Sequence, residues 1–202
     1  MATNFYSLFP RFSFDEYLAR NARSNEKLEY LLGVVYSMAG GTQFHNAISI
    51  NFAVALGMRL RGKDCSILSS DQMIEAPGRE AGFYPDLSVL CGAKLKPSAT
   101  PLKNPVMVVE VLSPSTRDYD LGQKFQQYRR IASLRHIVFI DSEGLGVQVY
   151  TRGADEVWPG LPETHHKRGE TMVLSALEVE IPLVEIYGDL DFAAYGIEGS
   201  VI

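Results

Sequence analysis

Cysteine is scarce in this chain, which has only Cys65 and Cys91 among its 202 residues. Two cysteines are too few for a disulfide scaffold, and their spacing contains no Cys-x-x-Cys pair. We therefore expect both side chains to be core thiols in a protein from a reducing compartment.

Long apolar segments are also lacking. The N-terminal sequence MATNFYSLFPRFSF has no apolar core behind a basic head, as a signal peptide would. No apolar run approaches the roughly 18 residues that a membrane helix needs. These absences predict a soluble, cytoplasmic protein without a membrane partner.

Basic residues are not in excess. The chain carries 19 Lys and Arg against 24 Asp and Glu, which gives a net charge of −5. This balance excludes a polycation that binds nucleic acid by overall charge, so a DNA or RNA contact requires a local basic patch. With 46% apolar and 21% charged residues, the chain is expected to fold. We predict one domain over residues 1–188 and a tail over 189–202.

The order of the elements that hydrophobic periodicity predicts indicates an α/β sandwich with a mixed sheet. Ser13 and Glu16 form a capping-box pattern that starts a first helix. A hairpin over 29–38 and a helix over 42–61 follow, and then strands over 65–74, 83–90 and 106–112. The next helix is predicted from 115 to 131, with Leu121, Phe125, Tyr128 and Ala132 facing inward. The remaining predicted elements are strands over 136–140 and 147–151, an irregular stretch over 158–168, and a last strand over 170–174.

Glu110 is the most informative polar residue, because it lies inside the apolar strand VMVVEVL. An ionised carboxylate in such surroundings is costly unless it is paired or bound to a metal. Two interpretations stay open at this point. Glu110 forms a structural ion pair with an arginine or lies at a wet strand end, or it points into a functional site.

Asp86 and Lys124 are the candidate partners of Glu110. Asp86 follows Pro85 at the start of a predicted strand, and two carboxylates that converge on one point favour a cation between them. Hard oxygen ligands indicate Mg²⁺ or Mn²⁺. Lys124 flanks the buried stripe of the next helix, where it packs its methylenes along the core or assists catalysis.

These residues lie in segments that resemble the Uma-type proteins of the PD-(D/E)XK restriction-endonuclease-like superfamily. The matching segments are EYLLG, FYPDLSVLCG and PVMVVEVLSPSTRDYDLGQKFQQY, and the resemblance covers about residues 13–187. It implies a restriction-endonuclease-like sandwich with a mixed central sheet flanked by helices. It also implies a metal-dependent endonuclease that hydrolyses phosphodiester bonds in nucleic acid, with DNA as the expected polymer and Mg²⁺ or Mn²⁺ as cofactor.

The resemblance also implies roles for individual residues. Asp86, Glu110 and the main-chain carbonyl of Val111 match metal ligands, and Glu29 matches a further acidic position that binds metal directly or through water. Leu112 occupies the superfamily's lysine position, and Lys124 resembles its migrated replacement. His45 matches a family histidine to which we assign no role.

The hairpin departs from the family pattern at Leu32, where an aspartate is usual. This change alters the turn alone or removes an acid from the rim of the site. For substrate contact we predict the basic cluster of Arg117, Arg129, Arg130 and Arg135, with a solvated helix face as the alternative.

Three functions remain after this reading of the sequence. The leading one is the metal-dependent nuclease. A homodimer is a hypothesis for it, because cutting two strands takes two sites. The second is a non-catalytic module that keeps the fold for binding or assembly, which the net charge favours. The third, a glycosidase with Asp86 and Glu110 as its acid pair, lacks an identifiable sugar groove.

Overall fold

The structure, a computed structural model, describes residues 11–38, 40–97, 100–188 and 190–192. Its helices are α1 (Phe14–Asn21), α2 (Gln43–Leu60), α3 (Arg117–Tyr119), α4 (Phe125–Tyr128) and α5 (Leu183–Tyr187), and a π-helical turn (Asp120–Lys124) joins α3 to α4. Its strands are β1 (Leu28–Leu31), β2 (Val34–Ser37), β3 (Cys65–Ser69), β4 (Ile74–Glu75), β5 (Ala81–Phe83), β6 (Leu87–Cys91), β7 (Met107–Leu112), β8 (His136–Asp141), β9 (Val147–Thr151), β10 (Glu163–His165), β11 (Thr171–Leu174) and β12 (Val179–Pro182).

A six-stranded sheet in the order β10-β9-β8-β7-β6-β3 forms the centre. β7 and β8 run parallel, whereas the other neighbouring strands are antiparallel. α2 and α5 contribute to the hydrophobic core on one face, and α4 contributes to the core on the other. This arrangement confirms the predicted α/β sandwich with a mixed sheet.

β7 is buried along its whole length, as its unbroken apolar run indicates. Its alternate side chains enter different cores. Val109 and Val111 pack on the α2 side, and Val108 and Leu112 pack on the α4 side. Strand alternation therefore directs Glu110 towards the helix that carries Lys124.

A second sheet, in the order β2-β1-β5-β4, packs under α1. The predicted capping box is confirmed, since the backbone N–H of Glu16 donates to Ser13 Oγ and the Glu16 carboxylate accepts from the Ser13 N–H. The predicted hairpin is also confirmed as β1 and β2, and its turn holds Leu32 at φ 49° and Gly33 at φ 95°.

Two predicted strands are wrong in their extent, because each is divided between the two sheets. The stretch over 65–74 forms β3 in the six-stranded sheet, and the chain then leaves this sheet and enters the second sheet at β4. The stretch over 83–90 is divided at Tyr84-Pro85-Asp86, between β5 and β6. Pro85 has no N–H for a sheet ladder, so the chain leaves one sheet there and enters the other.

The helix predicted from 115 to 131 is interrupted. The π-helical turn separates α3 from α4, and α4 ends at Tyr128. Phe125 and Tyr128 are buried as predicted, but Ala132 is exposed because it lies beyond the end of the helix. The wider turn changes which side chains face inward, so that Lys124 is fully inside.

The C-terminal part contains more structure than the sequence pattern indicates. The predicted last strand is confirmed as β11, but β12 pairs with it and α5 follows, and the stretch predicted as irregular contains β10. Phe192, near the start of the predicted tail, is buried against Tyr187. Residues 189 and 193–202 lie outside the described residues.

Cys65 and Cys91 form a disulfide, so the prediction of two free thiols is wrong. The two residues lie opposite each other on β3 and β6. Opposed residues on antiparallel strands have Cβ atoms about 4.5–5.5 Å apart, within reach of a disulfide after small adjustment. The pairing depends on strand order, which cysteine spacing alone does not contain.

Trp158 covers the six-stranded sheet. Its side chain is buried in the core on the α4 side, and its indole N–H donates to the carbonyl of Arg129 at 2.9 Å.

Within the described residues, none of the helices combines the length and the apolar character needed to cross a membrane.

Leu32 provides a test of the hairpin. A residue with a Cβ in the left-handed region loses roughly 1–2 kcal/mol, whereas asparagine tolerates this conformation. Since the Leu32 side chain is 54% exposed, we expect Leu32→Asn to increase the free energy of unfolding by about 0.5–1 kcal/mol in urea denaturation. Leu32→Val, which is β-branched, should decrease it. Equal stability of the two variants would contradict this account of the turn.

Candidate active site

The predicted catalytic and metal-binding residues meet in a cavity of about 360 Å³ between the two sheets. Its walls come from β1, the end of β2, the first turn of α2, the start of β6, β7 and the π-helical turn. The side chains of Glu29, Asp86, Glu110, Asp120 and Lys124 all line it. A larger open groove of about 860 Å³ lies beside α1, but the predicted site residues are not among those that line it.

Glu110 lies at the bottom of the cavity and is only 4% exposed. Tyr128 donates its hydroxyl to Glu110 Oε1 at 2.6 Å, and Lys124 Nζ lies 2.9 Å from the same oxygen. Burial raises the pKa of Glu110 well above its ordinary value, Lys124 opposes this rise, and the nearby carboxylates of Asp120, Asp86 and Glu29 add to it. The partner of Glu110 is therefore a lysine and a tyrosine, not the arginine of the alternative interpretation.

Lys124 is the centre of the charge cluster. Its Nζ lies 3.1 Å from Glu29 Oε1 and 3.4 Å from Asp120 Oδ1, in addition to its contact with Glu110. Burial alone would lower the pKa of Lys124, but the three carboxylates outweigh burial and raise this pKa well above its ordinary value. Lys124 therefore keeps its proton and its positive charge.

The antiparallel strands β6 and β7 pair Leu87 with Val109, and the next pair along this register places Asp86 opposite Glu110. Its Oδ2 accepts the N–H of Val111 at 2.7 Å and lies 3.3 Å from His45 Nε2. The hydrogen bond to Asp86 raises the pKa of His45. The structure thus brings Asp86, Glu110 and Val111 together, with His45 as a direct neighbour of Asp86.

Glu29 enters the cavity from β1, in the other sheet. Its Oε1 accepts the N–H of Tyr84 at 2.8 Å as well as contacting Lys124. This backbone bond fixes the carboxylate beside the ammonium. Leu32, three residues along the hairpin, is not among the residues that line the cavity, so the departure at this position changes the turn.

Asp120 is a site residue that the sequence analysis missed. It is 4% exposed, and burial raises its pKa while Lys124 opposes the rise. Its position four residues before Lys124 is the spacing of a helical ion pair, which could have identified it. The hydroxyl of Tyr128 was also missed, because Tyr128 fits the inner face of the helix as a core residue.

The predicted arginine contacts lie away from the cavity. Arg117 is paired with Asp141, and Arg130 is paired with Glu80. The guanidinium of Arg129 lies over the ring of Phe125, with Cζ 5.5 Å from its centroid. Arg135 is bonded to Glu156 at 2.6 Å. The structure does not bring these side chains to the site, so a role in substrate contact stays a prediction.

The donor set fits a hard divalent cation. Two carboxylates and a backbone carbonyl, from Asp86, Glu110 and Val111, provide oxygen ligands of the type that Mg²⁺ and Mn²⁺ prefer. Three carboxylates share the Lys124 ammonium, and Asp86 lies in the same cavity. Burial is the main cause of the raised pKa of Glu110, and the nearby carboxylates add to it. Among the described residues, no group of three or more His, Cys, Asp or Glu side chains is placed so that these side chains alone could hold a metal ion.

Comparison with known proteins places the chain among nuclease-like sequences. The family model Uma2, described as "Putative restriction endonuclease", matches residues 14–183. The protein slr1290 of Synechocystis sp. is 33% identical over 184 residues, which are 91% of this chain and 95% of that protein. The protein sll1609 of the same organism is 31% identical over 145 residues, which are 71% of this chain and 82% of the relative.

A solved structure has the same fold. It is the crystal structure of a "putative nuclease belonging to DUF820" from Anabaena variabilis, with a TM-score of 0.72 and 14% sequence identity. The match covers 87% of this chain and 97% of the other. It confirms the predicted fold class, a mixed central sheet flanked by helices as in restriction-endonuclease-like proteins.

The charge cluster predicts a pH-dependent defect when its cation is removed. Lys124→Met leaves three buried carboxylates without their ammonium, which should cost about 3–5 kcal/mol of unfolding free energy at pH 8. The pKa values of Glu110 and Asp120 are raised in the folded state, so folded protein binds protons that unfolded protein has released. Protonation therefore favours folding, and the loss should be smaller at pH 5 than at pH 8.

Lys103→Met is the matched control. Lys103 also pairs with a glutamate, Glu75, at 2.9 Å, but its side chain is 66% exposed. Such a pair contributes about 0–1 kcal/mol, so this variant should change stability little at either pH. Urea denaturation at both pH values measures the difference. A pH-independent loss for Lys124→Met would contradict the charge account.

Proposed function

Because the chain belongs to the Uma2 family, we propose that its charged cavity is the centre of a metal-dependent nuclease that hydrolyses phosphodiester bonds. The observation that carries this proposal is the group of three buried carboxylates around the Lys124 ammonium, with a fourth carboxylate, that of Asp86, in the same open cavity. A purely structural cluster would balance its charges, whereas this one has room for a further cation. We expect DNA to be the polymer.

Asp86, Glu110 and the carbonyl of Val111 would hold Mg²⁺ or Mn²⁺, with Glu29 as a direct or water-mediated neighbour. Such an ion supplies Lewis acidity at the phosphate and stabilises the leaving oxygen. Tyr128 holds the Glu110 carboxylate by its hydroxyl, and the N–H of Val111 and the ring of His45 hold Asp86. These contacts reduce the rearrangement needed when a cation binds.

Lys124 would act on the reacting groups through its ammonium. Its proton stays at Nζ, so it donates hydrogen bonds rather than accepting a proton. At this place it would orient the attacking water and offset the negative charge that develops on the phosphate. Glu29 and Asp120 fix the position of Nζ, which makes them positioning residues.

A catalytically silent binding module is the second candidate. It is favoured by the pairing of Arg117 and Arg130 with acidic side chains, because paired arginines offer less charge to a phosphate backbone. Calorimetry separates the two functions. Absence of binding heat and of thermal stabilisation with millimolar Mg²⁺ or Mn²⁺ would favour the binding module.

Substitution of Glu110 tests the nuclease directly. With plasmid and single-stranded substrates in Mg²⁺, Glu110→Gln should decrease the cleavage rate by about 100-fold or more, since it removes a charged metal ligand. Glu185→Gln is the control, because Glu185 is an exposed glutamate paired with Arg59 and is not a residue of the cavity. Equal cleavage by the wild-type protein and Glu110→Gln would reject the centre.

A homodimer stays a prediction. Most oligomers are symmetric, so two copies would carry two equivalent centres. Sedimentation or light scattering at micromolar concentration measures the mass in solution, and a monomer under these conditions would overturn this part of the proposal.

A further inference from the structure

The mouth of the cavity is aromatic. Tyr36, on the edge strand β2, lines it together with Tyr119 of α3, and their ring centroids are 5.2 Å apart with an interplanar angle of 42°. Tyr119 in turn meets Phe83 edge to face, at 6.3 Å, and Lys124 Nζ lies 5.7 Å from the centre of the Phe83 ring. A series of rings therefore leads from the surface to the buried ammonium.

The position of Tyr36 distinguishes it from the other rings. Its side chain is 37% exposed, while Phe83 is fully buried. Tyr119 supports the ring of Tyr36 from inside, and its own hydroxyl is buried without a hydrogen-bond partner. A buried hydroxyl in this state is costly, and a polar group that enters the cavity would satisfy it.

Charge cannot supply the affinity for a nucleic acid at this mouth. Lys124 is the only lysine or arginine among the described residues that line the cavity, and the carboxylates there outnumber it. Binding through the phosphate backbone needs several such cations. Stacking on an aromatic ring is the other main source of affinity, and it requires a base whose face is exposed.

Resting on the proposed nuclease function, we infer that Tyr36 is a stacking platform for a base next to the cleaved phosphate, and that the substrate is single-stranded nucleic acid. A paired base in a duplex has both faces covered by its neighbours, so it could stack on Tyr36 only after leaving the helix. A cavity of about 360 Å³ is at the lower end of the roughly 300–1,000 Å³ that small-molecule pockets occupy. This size suits one unstacked nucleotide.

Tyr36→Ala and Tyr36→Phe provide the test. Fluorescence anisotropy measures binding of a labelled single-stranded oligonucleotide, with Ca²⁺ in place of Mg²⁺ to prevent cleavage, and steady-state cleavage in Mg²⁺ gives KM and kcat. Tyr36→Ala should weaken binding and raise KM by about 5- to 100-fold. Tyr36→Phe keeps the ring and should behave like the wild-type protein. The same oligonucleotide annealed to its complement should bind more weakly than the single strand.

The outcomes separate this inference from the function on which it rests. Unchanged binding by Tyr36→Ala, an equal loss in Tyr36→Phe, or tighter binding of the duplex would each overturn the platform while cleavage by the wild-type protein upholds the nuclease. A wild-type protein that neither binds nor cleaves nucleic acid with Mg²⁺ or Mn²⁺ overturns both. Thermal denaturation of the two variants shows that they are folded, as expected for an edge-strand position that is partly exposed.

Discussion

The site depends on one ammonium surrounded by carboxylates. Lys124 joins Glu29 of one sheet, Glu110 of the other sheet and Asp120 of its own helix, and all four residues are buried. Desolvation of these charges is expensive, and their mutual attraction compensates only while the geometry is kept. The two sheets and the helix must therefore hold a fixed relation to one another for the cluster to exist.

The backbone delivers this geometry through two irregular features. Pro85 ends the sheet ladder and moves the chain between sheets, which places Asp86 at the start of β6 and opposite Glu110. The π-helical turn directs both Asp120 and Lys124 into the cavity. A proline break and a wide helical turn are unfavourable in regular structure and are often found at functional sites.

The sequence singles out residues of the candidate site where a side chain conflicts with its surroundings. Glu110 is conspicuous in an apolar strand, and Asp86 follows a proline, so both could be found without coordinates. Asp120 and Tyr36 carry no such conflict, because an acid on a helix and a tyrosine on a strand are ordinary. The arginines are predicted as substrate contacts because of their charge. Their acidic partners come from distant parts of the chain, such as Glu80 for Arg130, so the sequence does not reveal the pairing.

The elements of the fold also differ in whether the local sequence pattern specifies them or distant parts of the chain do. The buried strand β7, the long helix α2 and the capped helix α1 are each specified by local pattern, and their existence is predicted correctly. Division of a strand between two sheets depends on which strands become neighbours. The small β11–β12 sheet exists because its alternate side chains enter the core beneath α2, which no local pattern contains.

Because Cys65 and Cys91 form a disulfide, the measured stability of a sample depends on whether the sample was exposed to a reductant. The bond closes a loop of 26 residues that includes β4, β5 and Asp86. Closing a loop of this length restricts the unfolded chain and contributes about 3–4 kcal/mol in the chain-entropy view. Purification with and without a thiol reductant would thus yield two preparations with similar native contacts and different resistance to unfolding. Melting temperatures from different laboratories are comparable only when the thiol content is stated.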